Sequence, residues 1–142
     1  MGVRIMRTTL TSVLSVIQVA TRSSRAYADA AEHFGNAPLA TNLREVSDRR
    51  LEFATVLMAA IRPTLQPQRF RHPSAHDWGD LSALDRGQRQ LLTNLVRSDD
   101  AVLFRYSLAL SRDLPRAIFQ ILVDQFAEVG DIRDRIQAAE NE

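Results

Sequence analysis

LREVSDRRLEFATVL, residues 43–57, repeats apolar side chains at Leu43, Val46, Phe53 and Leu57. Steps of three and four residues bring such positions to one face of an α-helix, so the stretch reads as a helix with a buried seam. One member of the seam is not apolar: Arg50 falls between Val46 and Phe53, in phase with both. A guanidinium stays charged at physiological pH, and a charge taken out of water is very costly unless a counter-charge and hydrogen-bond partners accompany it. The stretch therefore predicts a helix packed against other helices, with a carboxylate facing Arg50 from one of them.

Upstream, Leu10, Val13, Ile17, Ala20, Tyr27, Ala31 and Phe34 keep a helical period. They predict a first helix from about Thr8 to Phe34, closed by Gly35-Asn36, residues that tolerate a left-handed C-terminal conformation. Pro38 opens the second helix, and Pro63 stops it after about Ile61, because proline lacks the amide hydrogen and clashes with the preceding turn. A third helix covers roughly Arg86 to Arg112. Asp113-Leu114-Pro115 ends it and starts a fourth, with Asp113 or Leu114 near the cap and Pro115 in the first turn, running to about Ala139. Residues 1–7 are left as a tail and residues 8–140 as one domain, with a crossover at about 63–85. In the crossover, DWGDLSALD predicts a short helical piece, with Ser74 as a cap and Trp78 folding it onto the bundle. The long helices span roughly 35 to 40 Å, a distance the crossover covers at about 3.3 Å per residue. The expected fold is all-α: a ferritin-like antiparallel four-helix bundle with its long crossover between the second and third helices.

At mid-depth the seams of all four helices turn polar. Ser24, Arg50, Asp99 and Gln125, one from each helix, form the expected central layer, flanked by Tyr27 and Tyr106. Di-iron proteins of this architecture hold metal at that depth with a Glu from each of two helices and a Glu-x-x-His pair from each of the others. No Glu-x-x-His occurs here; Glu45 to Asp48 and Glu128 to Asp131 have the spacing without imidazole and lie out of phase with the seam, as solvated surface carboxylates. Asp99 is the carboxylate left in the layer, and an arginine beside it opposes a dication. The expectation is an Arg50–Asp99 pair where a metal would sit, with Gln125, Ser24 and the tyrosine hydroxyls filling the other hydrogen-bond needs. No catalytic residue, metal or cofactor is assigned.

Eighteen basic residues, all arginine, stand against seventeen acidic ones, for a net charge of +1, and like charges form no long block. Neither a nucleic-acid footprint nor a polybasic membrane anchor follows. The absence of cysteine excludes disulfides, thiolate metal sites and thiol nucleophiles. The N-terminal stretch has arginines, an apolar run and an Ala-x-Ala, but Thr9, Thr11, Ser12, Ser15 and Gln18 interrupt it on a helical period. It reads as a mature amphipathic helix of a cytoplasmic protein instead of a secretory leader, and no run approaches the roughly 18 apolar residues of a membrane span. His72 and His76 are four apart but have Pro73 between them, and His33 beside Glu32 reads as a surface histidine at a helix C-terminus. There is no phosphate loop and no nucleophile elbow.

Five blocks in order, AYADAAEHF, RRLEFATVL, HDWGDLSAL, SDDAVLFRYSLAL and DLPRAIFQILVDQFAEVGDIRDRI, resemble those of a bacterial ferritin-like family of uncharacterised four-helix-bundle proteins. The resemblance covers about residues 10 to 138 and implies the bundle fold. In that family a Glu commonly precedes the first tyrosine by three residues. Acidic residues occupy the third helix near the level of Asp99, and a His usually precedes the Asp-Arg-Ile of the last helix. Here the corresponding positions hold Ser24, Val96 with Asp99, and Arg133. The resemblance thus implies degenerate metal ligands in this member. It brings no established activity, and links of related ferritin-like proteins to bacterial stress responses imply a stress-related context.

The third and fourth helices carry apolar residues beyond their seams, including Phe104, Leu108, Phe119 and Phe126. Either the crossover covers them or they form an interface, with a homodimer or a protein partner as the expected occupant. Two functional expectations stand. One is a non-enzymatic bundle that acts by association. The other is a di-metal or iron-binding ferritin-like oxidoreductase or iron-handling protein recruiting Asp99, Glu128 and a further ligand.

Overall fold

The computed structural model describes residues 7–35, 37–62, 78–79 and 81–141. Four α-helices follow one another: α1 (Arg7–Ala31), α2 (Ala37–Ile61), α3 (Arg86–Leu110) and α4 (Arg116–Glu140). No strand occurs among the described residues.

Local chemistry sets the ends. Asp85 caps α3: its side chain accepts the Gln88 amide at 2.8 Å while the Gln88 side chain accepts the Asp85 amide at 3.0 Å. This reciprocal box satisfies two donors that the first turn leaves without helical partners. α4 starts one residue later than the sequence suggests, since Pro115 is itself the cap and its carbonyl accepts the Phe119 amide at 2.9 Å. The end of α1 also departs from expectation. The amides of Glu32, His33 and Phe34 bond back three residues to Asp29, Ala30 and Ala31, tightening the last turn. Gly35 does not take the left-handed conformation; among the described residues only Gly79 has a positive φ, 79°. Where a short helical piece was expected near Trp78, the described residues show one turn, closed by the Leu84 amide on the Leu81 carbonyl at 3.4 Å. Trp78 packs against the apolar core, and Ser74 lies outside the described residues.

Two apolar clusters give the helix directions. One gathers the end of α1 (Tyr27, Ala31), the start of α2 (Leu39, Leu43), the start of α3 (Leu92, Val96) and the end of α4 (Ile132, Ile136). The other gathers the start of α1 (Val13, Ile17), the end of α2 (Phe53, Leu57), the end of α3 (Val102, Tyr106) and the start of α4 (Ile118, Leu122). The helices therefore run up, down, down, up, and α2 ends at the opposite end of the bundle from the start of α3. α1 packs beside α2 and α3, and α4 beside the same two, which leaves α1/α4 and α2/α3 as diagonals. Every adjacent pair is antiparallel. The expected tail, apart from Arg7, and most of the expected crossover lie outside the described residues.

Candidate functional site

Between the two apolar clusters lies a buried polar layer. Arg50 on α2 is 1 % exposed and Asp99 on α3 is fully buried. The guanidinium grips the carboxylate as a fork: Nη1 donates to Oδ1 at 2.8 Å and Nη2 to Oδ2 at 3.2 Å. Because α2 and α3 stand on a diagonal, this pair crosses the bundle axis. Tyr27 on α1 donates its hydroxyl to Asp99 Oδ2 at 2.6 Å, and its ring lies under the Arg50 guanidinium, 5.0 Å from centroid to Cζ. Ser23 completes the set by accepting a second Nη1 bond from Arg50 at 2.9 Å. Two-pronged geometry, added donors and a π face are what a buried ion pair needs to offset its lost hydration.

The remaining polar residues form separate couples. Tyr106 donates to Gln125 Oε1 at 2.6 Å, and the Gln125 amide donates to the Phe53 carbonyl at 3.3 Å, tying α4 to α3 and α2. Ser24 does not join Arg50. The Ser47 hydroxyl donates to the Ser24 carbonyl at 2.6 Å, so the 3.1 Å contact between the two hydroxyls has Ser24 as donor. Sequence reasoning missed Ser23 and Ser47; both are small polar residues one step from a seam position, and spacing carried no signal for them. It also misjudged Glu128. Arg49 holds that carboxylate with Nε at 2.9 Å and Nη2 at 3.1 Å, and reaches Glu52 with Nη1 at 2.9 Å, so Glu128 is a half-buried partner of α2. Arg49 also stacks over Phe53 at 5.2 Å.

Burial disfavours the Arg50 charge, but the Asp99 carboxylate outweighs that and holds the guanidinium above its usual range. Both tyrosines are shifted up as well, chiefly by burial. The Arg50 charge pulls each down, while Asp99 raises Tyr27 and Glu128 raises Tyr106. A phenol raised by folding stays protonated after the unfolded chain has begun to ionise at about pH 10. Its stabilising contribution is complete below that pH and is lost as pH rises further. Tyr27 and Tyr106 are the two tyrosines of the chain and both are buried. In an alkaline titration, tyrosinate absorbance is expected to appear only together with loss of the helical circular dichroism. Absorbance rising while the helical signal stays native would show that the phenols reach solvent in the folded state.

The donor set does not suit a di-metal centre of the kind held by the proteins that the sequence resembles. Arg50 and Tyr27 occupy both oxygens of Asp99, and Arg49 occupies both of Glu128. Val96 lies in the apolar core, and Arg133 pairs with Asp100 at 2.9 Å on the outer flank of α3 and α4. Among the described residues no three His, Cys, Asp or Glu side chains converge. His72 and His76 lie outside the described residues, and His33 is exposed at the end of α1.

On the outer surface, Phe104 is 58 %, Phe119 44 % and Leu108 41 % exposed. Phe126 differs from these: it is partly buried and packs against the second apolar cluster, so it does not belong to an open face. No described helix is long and apolar enough to cross a membrane. Compared with protein-family models, curated proteins and solved structures, the chain matches none.

Proposed function

We propose that this chain is a ferritin-like bundle of non-enzymatic role, possessing a fixed Arg50–Asp99 ion pair at the depth where such bundles bind metal and acting by association with itself or another protein. The observation that carries the reading is that Arg50 and Tyr27 bond to both oxygens of Asp99 in the bundle's centre. A dication at that point would have to displace a guanidinium already bonded to the same oxygens. The exposed Phe104, Leu108 and Phe119 supply the surface for association, with a dimer as its smallest form. The sequence resemblance favours a bacterial, stress-related setting, and the reading of the N-terminal stretch as an amphipathic helix favours a cytoplasmic one.

Two measurements on the full chain test this. After anaerobic incubation with ferrous iron and manganese followed by desalting, elemental analysis is expected to find no stoichiometric metal. Stoichiometric metal that disappears in Asp99→Ala would replace this reading with the iron-handling one. Sedimentation at micromolar concentration is expected to show a mass above that of the 16.0 kDa chain, and Phe104→Asp is expected to reduce it. A monomer throughout would remove association with itself.

A further inference from the structure

α1 and α3 pack side by side as one wall of the bundle, and α2 and α4 form the opposite wall. Charge is divided between them. α1 and α3 together carry seven arginines against three carboxylates, one of these being the buried Asp99. α2 and α4 carry six arginines, including the buried Arg50, against eight carboxylates. The four helices of this chain of net charge +1 are therefore electrically lopsided from one wall to the other. Arg22, Arg97 and Arg105 are exposed on the first wall, and Asp48, Asp124 and Asp131 on the second.

The exposed apolar residues of α3 stand among the arginines of the basic wall. Arg97, Phe104, Arg105 and Leu108 recur at helical spacing on its outward side. A two-fold dimer closed on Phe104 and Leu108 would set the basic wall of one copy against the basic wall of the other, and like charges brought together oppose such a contact. Turning one copy round removes the conflict, because the acidic wall is available on every molecule.

We propose that copies of this chain associate head to tail, with the α1/α3 wall of one seated on the α2/α4 wall of the next and Leu108 and Phe104 as apolar anchors within the charged contact. The inference rests on self-association as proposed above and specifies its surfaces. A contact of this kind leaves one basic and one acidic wall free at the ends, so assembly continues beyond two copies unless a ring closes. Its charged component weakens with salt, the screening length falling from about 10 Å at 0.1 M to about 3 Å at 1 M.

Sedimentation of full-length protein tests the arrangement with two variants checked for native circular dichroism. The first, R22E/R97E/R105E, makes both walls acidic; the second, D48R/D124R/D131R, makes both basic. Wild type is expected to associate at low salt and to dissociate towards monomer at about 1 M salt. Each variant alone is expected to self-associate at least about tenfold more weakly, and an equimolar mixture of the two is expected to recover assembly. Wild-type association that persists in high salt and in both variants would overturn the head-to-tail contact while leaving self-association standing. A wild type that is monomeric in every condition would overturn both. Association lost on nuclease treatment would mean that a polyanion occupies the basic wall, which also overturns the proposal.

Discussion

Asp99→Ala is expected to destabilise the fold by about 3 to 5 kcal/mol, because it leaves the Arg50 charge buried without its partner. Against a total of about 5 to 15 kcal/mol for an ordinary domain, this is a large fraction of the stability. Arg50 is 1 % exposed at the middle of α2, so its head cannot reach water without opening the helix packing. Tyr27 also loses the acceptor of its 2.6 Å bond. The cost belongs to the stranded charge and not to the pair as such. Replacing both residues, Arg50→Met with Asp99→Leu, is expected to recover most of the loss, since desolvating two charges offsets much of their attraction. Urea unfolding of wild type, the single variant and the double variant measures both effects. A loss below about 1 kcal/mol in Asp99→Ala would mean that Arg50 finds solvent.

The second large effect concerns the two apolar clusters on either side of the polar layer. Leu43 belongs to one and Leu122 to the other, and both are fully buried. Truncating either to alanine removes transferred apolar surface and leaves a cavity, at an expected cost of about 2 to 5 kcal/mol each. The two clusters are separate sets of neighbours, so the double variant is expected to lose the sum of the two values within about 0.5 kcal/mol. Calorimetry or urea unfolding of the three proteins gives the coupling. A departure of more than about 1 kcal/mol from additivity would show that packing changes pass through the Arg50 layer.

Much of the fold was legible because four helices with one apolar seam each leave few ways to bury those seams. Pro38, Pro63 and Pro115 punctuate the chain by a backbone rule that holds in any context. The end of α1 was not legible in the same way, since a tightened turn and a left-handed glycine satisfy the same carbonyls and Gly35 permits both. At the site, Arg50, Asp99, Gln125 and the tyrosines lay in phase with their seams. Ser23 and Ser24 lie about 100° apart around α1. One meets Arg50, while the other meets Ser47 of α2. Heptad reasoning favoured Ser24, but the partner's reach selected Ser23. Glu128 was read as a solvated surface carboxylate because spacing along one helix says nothing about the residue opposite, and Arg49, on the flank of α2, is long enough to bridge to α4.

The sequence by itself determined the helical class, the number of helices, the mid-depth band of polar residues and the need of Arg50 for a carboxylate, since these follow from periodicity, backbone chemistry and the cost of burying charge. The tertiary structure decided that the Arg50–Asp99 pair spans the α2/α3 diagonal, the choice of Ser23, the capture of Glu128 by Arg49, the partial burial of Phe126 and the separation of basic and acidic walls. Each of these depends on which helix faces which and at what level, a relation among distant parts of the chain that no local pattern encodes.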